Sequence, residues 1–189
     1  MQASTDLHRD AWVVALRRDT LTRPGHPEDR FDRLVVEHPG AVVILALDAA
    51  DRVLVLHQYR HAAQGRFVEL PAGLCDVAGE SPLRTAQREL REEAGLRAER
   101  WTHLLTSHAS PGISNERFEI FVARELSDAE AEEFEAEHEE ADMECSWVPF
   151  PDLLEAVRSS RVTDAALALA VMAYALEPRP ETGSDARVR

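Results

Sequence analysis

The stretch Gly73 to Leu96, GLCDVAGESPLRTAQRELREEAGL, constrains this chain more than any other, because it couples a glycine turn to a helix with a signal at each end. Ser81 suits an N-cap and Pro82 suits the first helical position, where its missing N–H has no intrahelical partner to lose. Gly95 supplies the left-handed C-cap that needs no Cβ. At helical spacing Leu83, Ala86, Leu90 and Ala94 fall on one stripe, predicted to face the core. Glu89 and Glu93 stand beside that stripe at i and i+4, with Glu92 a little further round. Like charges at that spacing cost roughly a few tenths of a kcal/mol, and partial burial raises the cost unless something positive stands among them. A divalent cation meets the need. Oxygen ligands with no His or Cys in the cluster favour Mg²⁺ or Mn²⁺ over zinc. The competing reading is a solvated acidic face balanced by Arg84, Arg88 and Arg91.

Bulk properties narrow the partners. A chain of 189 residues makes one ordinary domain, with or without an appendage, and can bury a sizeable core. Lys plus Arg number 21 against 35 Asp plus Glu, a net charge of −14, which argues against nucleic-acid or anionic-membrane binding. An anionic small-molecule substrate would be repelled unless metal ions recruit it. Cys75 and Cys145 are too few for a disulfide framework and lack zinc spacing, so reduced thiols are expected. The start MQASTDLHRD has no charged region leading into an apolar one, and no apolar run reaches membrane-spanning length. The expectation is a soluble, cytoplasmic protein.

Along the chain, Ala11 to Leu16 and Phe31 to Glu37 read as two strands around the breaker-rich TRPGHPED. They form either an edge hairpin of the main domain or a dimerisation arm. AVVILALD and RVLVLHQYR, separated by Asp48 to Asp51, read as a hairpin of strands covered on both faces. Arg66 to Leu70 is a third strand leading into Pro71-Ala72-Gly73, and Arg60 sits at a strand end, where a lone arginine is more often a surface charge than a ligand but where phosphate-clasping arginines are also placed. Trp101 to Ser107 and Arg117 to Ala123 are further strands, joined by a linker containing Pro111-Gly112. Residues 125 to 144 are densely acidic; such blocks are usually solvated, yet a loop of this kind can carry a general base. The strand Glu144 to Val148 is broken by Pro149-Phe150-Pro151. A short helix, Asp152 to Arg158, and a last helix capped at Thr163-Asp164 follow, the latter with Ala166, Leu169, Ala170 and Ala173 facing the sheet. The end, PRPETGSDARVR, is expected to be disordered.

The central stretch resembles the Nudix box. In that pattern a glycine is followed by five residues and a glutamate, then seven residues and Arg-Glu-apolar-any-Glu-Glu-any-Gly-apolar. Glu80, then seven residues, then Arg88-Glu89-Leu90-Arg91-Glu92-Glu93-Ala94-Gly95-Leu96 are in register. Gly73 precedes Glu80 across six residues, so the loop Leu74 to Gly79 carries one more than the pattern and is expected to bulge outward. The resemblance implies an α/β fold, the Nudix α/β/α sandwich with a mixed sheet between helices. An N-terminal β-hairpin arm would occupy residues 1–40, the hydrolase domain 41–177 and a tail 178–189.

Gln58-Tyr59-Arg60, Glu69-Leu70-Pro71-Ala72-Gly73 and Pro111 further resemble the ADP-ribose pyrophosphatase branch. That likeness implies Mg²⁺- or Mn²⁺-dependent hydrolysis of ADP-ribose, a nucleoside diphosphate substrate, to AMP and ribose 5-phosphate. Glu89, Glu93, the Ala72 carbonyl and Glu92 would be metal ligands, and Arg88 would orient the box carboxylates. Arg60 would hold substrate phosphate, Glu69 would line the same cleft, and Pro111 and Gly112 would shape the terminal-ribose side. Glu140, with Glu139 in reserve, would be the general base. The arm implies a homodimer. Competing readings are hydrolysis of another nucleoside-diphosphate sugar or a dinucleotide polyphosphate, and a non-catalytic nucleotide sensor.

Overall fold

The computed structural model describes residues 3–9, 14–129 and 143–177. The predicted general bases Glu139 and Glu140 and the predicted tail fall outside them.

The chain begins with an antiparallel sheet of three strands, β1 (Ala3–His8), β2 (Ala15–Arg23) and β3 (His26–Glu37), in the order β1-β2-β3. The expected loop TRPGHPED is almost entirely strand. Arg23 pairs with His26, leaving only Pro24 and Gly25 to turn the chain, and Gly25 takes the positive φ of 78° that the turn requires. Pro27 is tolerated because β3 is an edge strand. No apolar alternation announces β1, whose residues are all exposed. Polar bonds across the strands hold it instead: Ser4 donates to Asp19 at 2.5 Å, and Arg9 bridges Asp6 and Glu37, each at 2.8 Å.

β4 (Ala41–Ala46) and β5 (Arg52–Arg60) do not continue as the simple hairpin their turn suggests. Asp48 closes that turn, its carboxylate accepting from the backbone of Ala50 and Arg52 at 2.9 and 2.8 Å. Beyond the single bridge Leu47 to Val53 the strands part into different sheets. β4 joins a four-stranded mixed sheet, β7-β4-β9-β8, in which it runs parallel to β9 (Arg117–Asp128) and antiparallel to the short β7 (Ala72–Leu74). β8 (Leu96–His108) closes one side. β5 is the centre of a three-stranded sheet, flanked by β6 (Gly65–Glu69) and β10 (Glu144–Pro149).

Period-two alternation along β4 divides the core in two. Val42, Ile44 and Ala46 join Leu54, Phe121 and Ala123 beneath α1 (Pro82–Ala94). Val43 and Leu45 join Val55 and Ile120 beneath α2 (Phe150–Arg158) and α3 (Ala165–Leu176). Sheets lie between helices, as expected of the sandwich. No helix among the described residues is long and apolar enough to cross a membrane.

The helices correct three details. In α1 the buried residues are Thr85, Ala86 and Leu90, while Leu83 is 37% exposed. Thr85 can be buried because its hydroxyl donates to Glu80 at 3.0 Å. α2 begins at Phe150 instead of Asp152, since Pro151 is compatible with a first turn. In α3 the buried positions are Leu167, Ala170 and Val171, so the stripe is rotated from the expected one. Its sequence, AALALAVMAYAL, has almost no polar residue to mark an outer face.

Candidate active site

The box helix is seated as its end signals predict. Ser81 caps it by accepting from the Arg84 amide at 3.4 Å, and Gly95 ends it at φ 62°. The additional loop residue is absorbed in an exposed turn, residues 76–79, with Gly79 at φ 82° and the Glu80 amide donating to the Val77 carbonyl. It bulges outward and leaves the helix in place.

α1 is locked to β7 by its acids. Glu93 accepts from the Ala72 amide at 2.9 Å. Glu89 lies across Gly73 so closely that a Cβ built there would be 2.0 Å from the Glu89 carboxyl carbon. Gly73 is therefore required by the close approach of a carboxylate, not by backbone conformation. Arg88 gathers the other acids: one Nη is 2.7 Å from Glu89 and 2.8 Å from Glu92, and the other is 3.4 Å from Glu80. Burial opposes the Arg88 charge, but Glu89, Glu92 and Glu80 outweigh it and raise its pKa above the ordinary value. These contacts gather three of the box glutamates around one guanidinium.

A hard divalent cation is the group this set suits. Glu89, Glu92, Glu93 and the Ala72 carbonyl offer oxygen alone, and the cradle at Gly73 admits a carboxylate where any side chain would exclude it. Among the described residues no three His, Cys, Asp or Glu side chains already converge as a metal cage. Glu89 is turned to Arg88 and Glu93 to the Ala72 amide.

A second cluster lies at the start of the same connection. Arg60, ending β5, makes a two-pronged contact with Glu69 at the end of β6: Nε is 2.9 Å from Oε1 and Nη2 is 2.6 Å from Oε2. Gln58 adds a third donor to Glu69 at 2.9 Å. Gln58 carried no role in the sequence reading; the available signal was a polar residue inside an apolar strand. Asp164, the N-cap of α3, stands within electrostatic reach of the pair. Burial raises its pKa and the Leu167 amide opposes the rise, while Glu69 adds to it. From Glu69 the chain crosses through Leu70 and Pro71 into Ala72, and the Pro71 carbonyl accepts from the Ile44 amide at 2.8 Å. Three residues span at most about 10 Å, so the arginine cluster and the acidic helix are close neighbours.

Pro111 and Gly112 are exposed. Their loop is fastened to the N-terminal sheet: the Val36 amide donates to the Ile113 carbonyl at 2.8 Å, and the His38 amide to the Asn115 side chain at 2.8 Å. The ends flanking residues 130–142 both return to the C-terminus of α1. The Ala129 amide donates to the Gly95 carbonyl at 2.8 Å, and the Cys145 thiol to the Glu93 carbonyl at 3.6 Å.

Fold and site together define an α/β sandwich whose principal helix presents a row of carboxylates over a glycine-floored strand. The chain belongs to the Nudix family: the model of the NUDIX domain matches residues 37–166. It is similar to the ADP-ribose pyrophosphatase of Mycobacterium tuberculosis, at 42% identity over 94% of this chain and 86% of that protein. It is similar also to the ADP-ribose pyrophosphatase of Bacillus subtilis, at 38% identity over 74% of each. A solved structure described as an ADP compounds hydrolase superposes with a TM-score of 0.74 at 20% identity, covering 92% of this chain and 90% of that one. This last likeness is one of fold.

Proposed function

We propose that this Nudix pyrophosphohydrolase cleaves the pyrophosphate bond of ADP-ribose, yielding AMP and ribose 5-phosphate, with Mg²⁺ as its ion and Mn²⁺ as a substitute. The observation that carries the reading is the seating of Glu89 over Gly73 and of Glu93 on the Ala72 amide, which sets the acids of α1 at the strand end nearest Arg60. The substrate follows the activity named for both relatives.

Glu89, Glu93, the Ala72 carbonyl and Glu92 would hold the ion. When bound there, it supplies charge neutralisation for the diphosphate and acidification of water. Arg88 keeps Glu89 and Glu92 oriented through its paired contacts. Arg60 holds a substrate phosphate, and Pro111 and Gly112 shape the ribose end of the pocket. Glu140, or Glu139, takes the proton of the attacking water. That assignment is supported by the return of both flanking ends to α1, at Gly95 and Glu93. Glu140 is five residues from Cys145, a tether of at most about 18 Å.

The N-terminal sheet serves as a dimerisation arm, a role supported by its exposed Leu7 and Leu34. Cytoplasmic residence is supported by the unpaired Cys75 and Cys145.

The deciding experiment is a substrate panel of ADP-ribose, ADP-glucose, GDP-mannose and diadenosine polyphosphates with Mg²⁺ and product identification. AMP plus ribose 5-phosphate, formed fastest from ADP-ribose, is the expected result. Preferential cleavage of another compound would reassign the substrate, and tight binding with no cleavage would make the protein a sensor.

A further inference from the structure

The contact between β5 and β6 separates two ways in which Glu69 can serve the site. Glu69 is 8% exposed and Gln58 is 4% exposed, so neither is displayed to solvent. Leu56 pairs with Glu69 and Gln58 with Phe67, which puts Gln58 and Glu69 on one face of adjacent strands as diagonal neighbours. Both Glu69 oxygens are engaged: Oε1 by Arg60 Nε, and Oε2 by Arg60 Nη2 and Gln58 Nε2. A guanidinium has five N–H donors in a rigid fork. Glu69 covers the Nε–Nη2 edge, so a phosphate would approach the edge that carries Nη1. The Arg60 side chain, 46% exposed, is the accessible member of the cluster.

We propose that Glu69 and Gln58 are positioning residues: Gln58 orients the Glu69 carboxylate, and Glu69 holds the Arg60 fork so that its far edge faces the diphosphate. The inference rests on the reading above in one respect, that Arg60 contacts substrate phosphate. It changes the place of Glu69 from a wall of the cleft to a support behind it. A second consequence concerns charge. Glu69 is negative and would repel a diphosphate, so deleting its charge works against deleting its grip. Positioning predicts that the loss of grip outweighs the relief of repulsion, because a two-pronged carboxylate contact fixes a long side chain that otherwise samples many rotamers.

The test is a cycle of four full-length proteins, wild type, Arg60→Ala, Glu69→Gln and the double variant. For each, the affinity for inorganic pyrophosphate is measured by titration calorimetry in Mg²⁺ buffer, and KM and kcat are measured with ADP-ribose. Either single variant is expected to weaken pyrophosphate binding about tenfold and to raise KM by a similar factor, with kcat within about twofold of wild type. The double variant is expected to bind no more weakly than Arg60→Ala, because Glu69 acts only through Arg60. A double variant weakened by the product of the single effects would overturn the proposal by showing that Glu69 meets the ligand itself. Unchanged or tighter binding in Glu69→Gln would overturn it as well. Pyrophosphate affinity unchanged in Arg60→Ala would remove the phosphate role of Arg60 and the proposal with it. A positive cycle with no ADP-ribose cleavage by the wild type would instead fault the substrate assignment and leave the positioning intact. If Glu69→Gln fails to fold, Gln58→Leu replaces it in the cycle with an expected effect of about threefold; additivity with Arg60→Ala, or no effect, would be the refuting result.

Discussion

Gly73 and Glu89 compete for one space: a methyl group on the glycine would stand 2.0 Å from the carboxyl carbon of the glutamate. Gly73 lies in β7 without a positive φ, so alanine there is sterically unwelcome but conformationally ordinary. Gly73→Ala is expected to displace Glu89 and lower Mg²⁺-dependent turnover by about 10- to 100-fold, checked by steady-state kinetics over a Mg²⁺ series. Gly79 makes the control. Its φ is 82° and nothing lies within 4 Å of an added Cβ. Gly79→Ala should cost about 1 kcal/mol of stability and leave turnover intact.

Glu93→Gln keeps the shape of the side chain and an oxygen for the Ala72 amide while removing the charge. The expected outcome is loss of Mg²⁺-dependent turnover with a thermal midpoint near that of the wild type. Activity close to wild type would end the assignment of Glu93 as a ligand.

Replacing Glu140 by Gln should lower kcat by roughly 10²- to 10⁴-fold with little change in the Mg²⁺ concentration for half-maximal rate. If Glu140→Gln is active and Glu139→Gln is crippled, the base is one residue earlier.

Acid stability has a local contributor on β9, opposite Val42 and so two strands from Gly73. Burial would raise the pKa of Glu119, but hydrogen bonds from Thr106 and His103 and the Arg117 charge hold it below the ordinary 4.5. A carboxylate with a depressed folded-state pKa stabilises fully above its unfolded value, and the contribution disappears as pH falls through the folded value. Melts of wild type and Glu119→Gln should therefore differ most near neutrality, with the variant less stable. The gap should close below pH 4.5.

Removing residues 1–33 would strip β1, β2 and most of β3 while keeping Val36, whose amide fastens the loop at Ile113. A monomer or an insoluble product is expected by size-exclusion chromatography with light scattering. A stable dimer would refute the arm.

Local chemistry decided what was readable beforehand. α1 was legible because Ser81-Pro82 and Gly95 are local start and stop signals that need no knowledge of the rest of the chain. β1 was hidden because Ser4 and Asp6 give no hydrophobic periodicity; Ser4 bonds the distant Asp19, and Arg9, just past the strand, ties Asp6 to the distant Glu37. Leu83 was misplaced because period alone cannot say that a buried Thr85, bonded to Glu80, takes the inward position. The separation of β4 from β5 depends on which strands each later meets, information held by β7, β9, β6 and β10. Among the candidate site residues, Arg60 and Glu69 were visible one by one, but their mutual contact and the hydrogen bond that Gln58 adds to it arise only when β5 and β6 pair.

The seam at Leu70-Pro71 has a mechanical consequence. Arg60 belongs to one sheet and the strand beneath α1 to the other, with Leu70 2% exposed at the junction. A ligand that engages both sides acts as a cross-brace between the sheets, resisting their parting in the native fold. Saturation at a hundred times Kd would add about 2.7 kcal/mol to the unfolding free energy, so occupancy can be followed as resistance to heat even where no bond is cleaved.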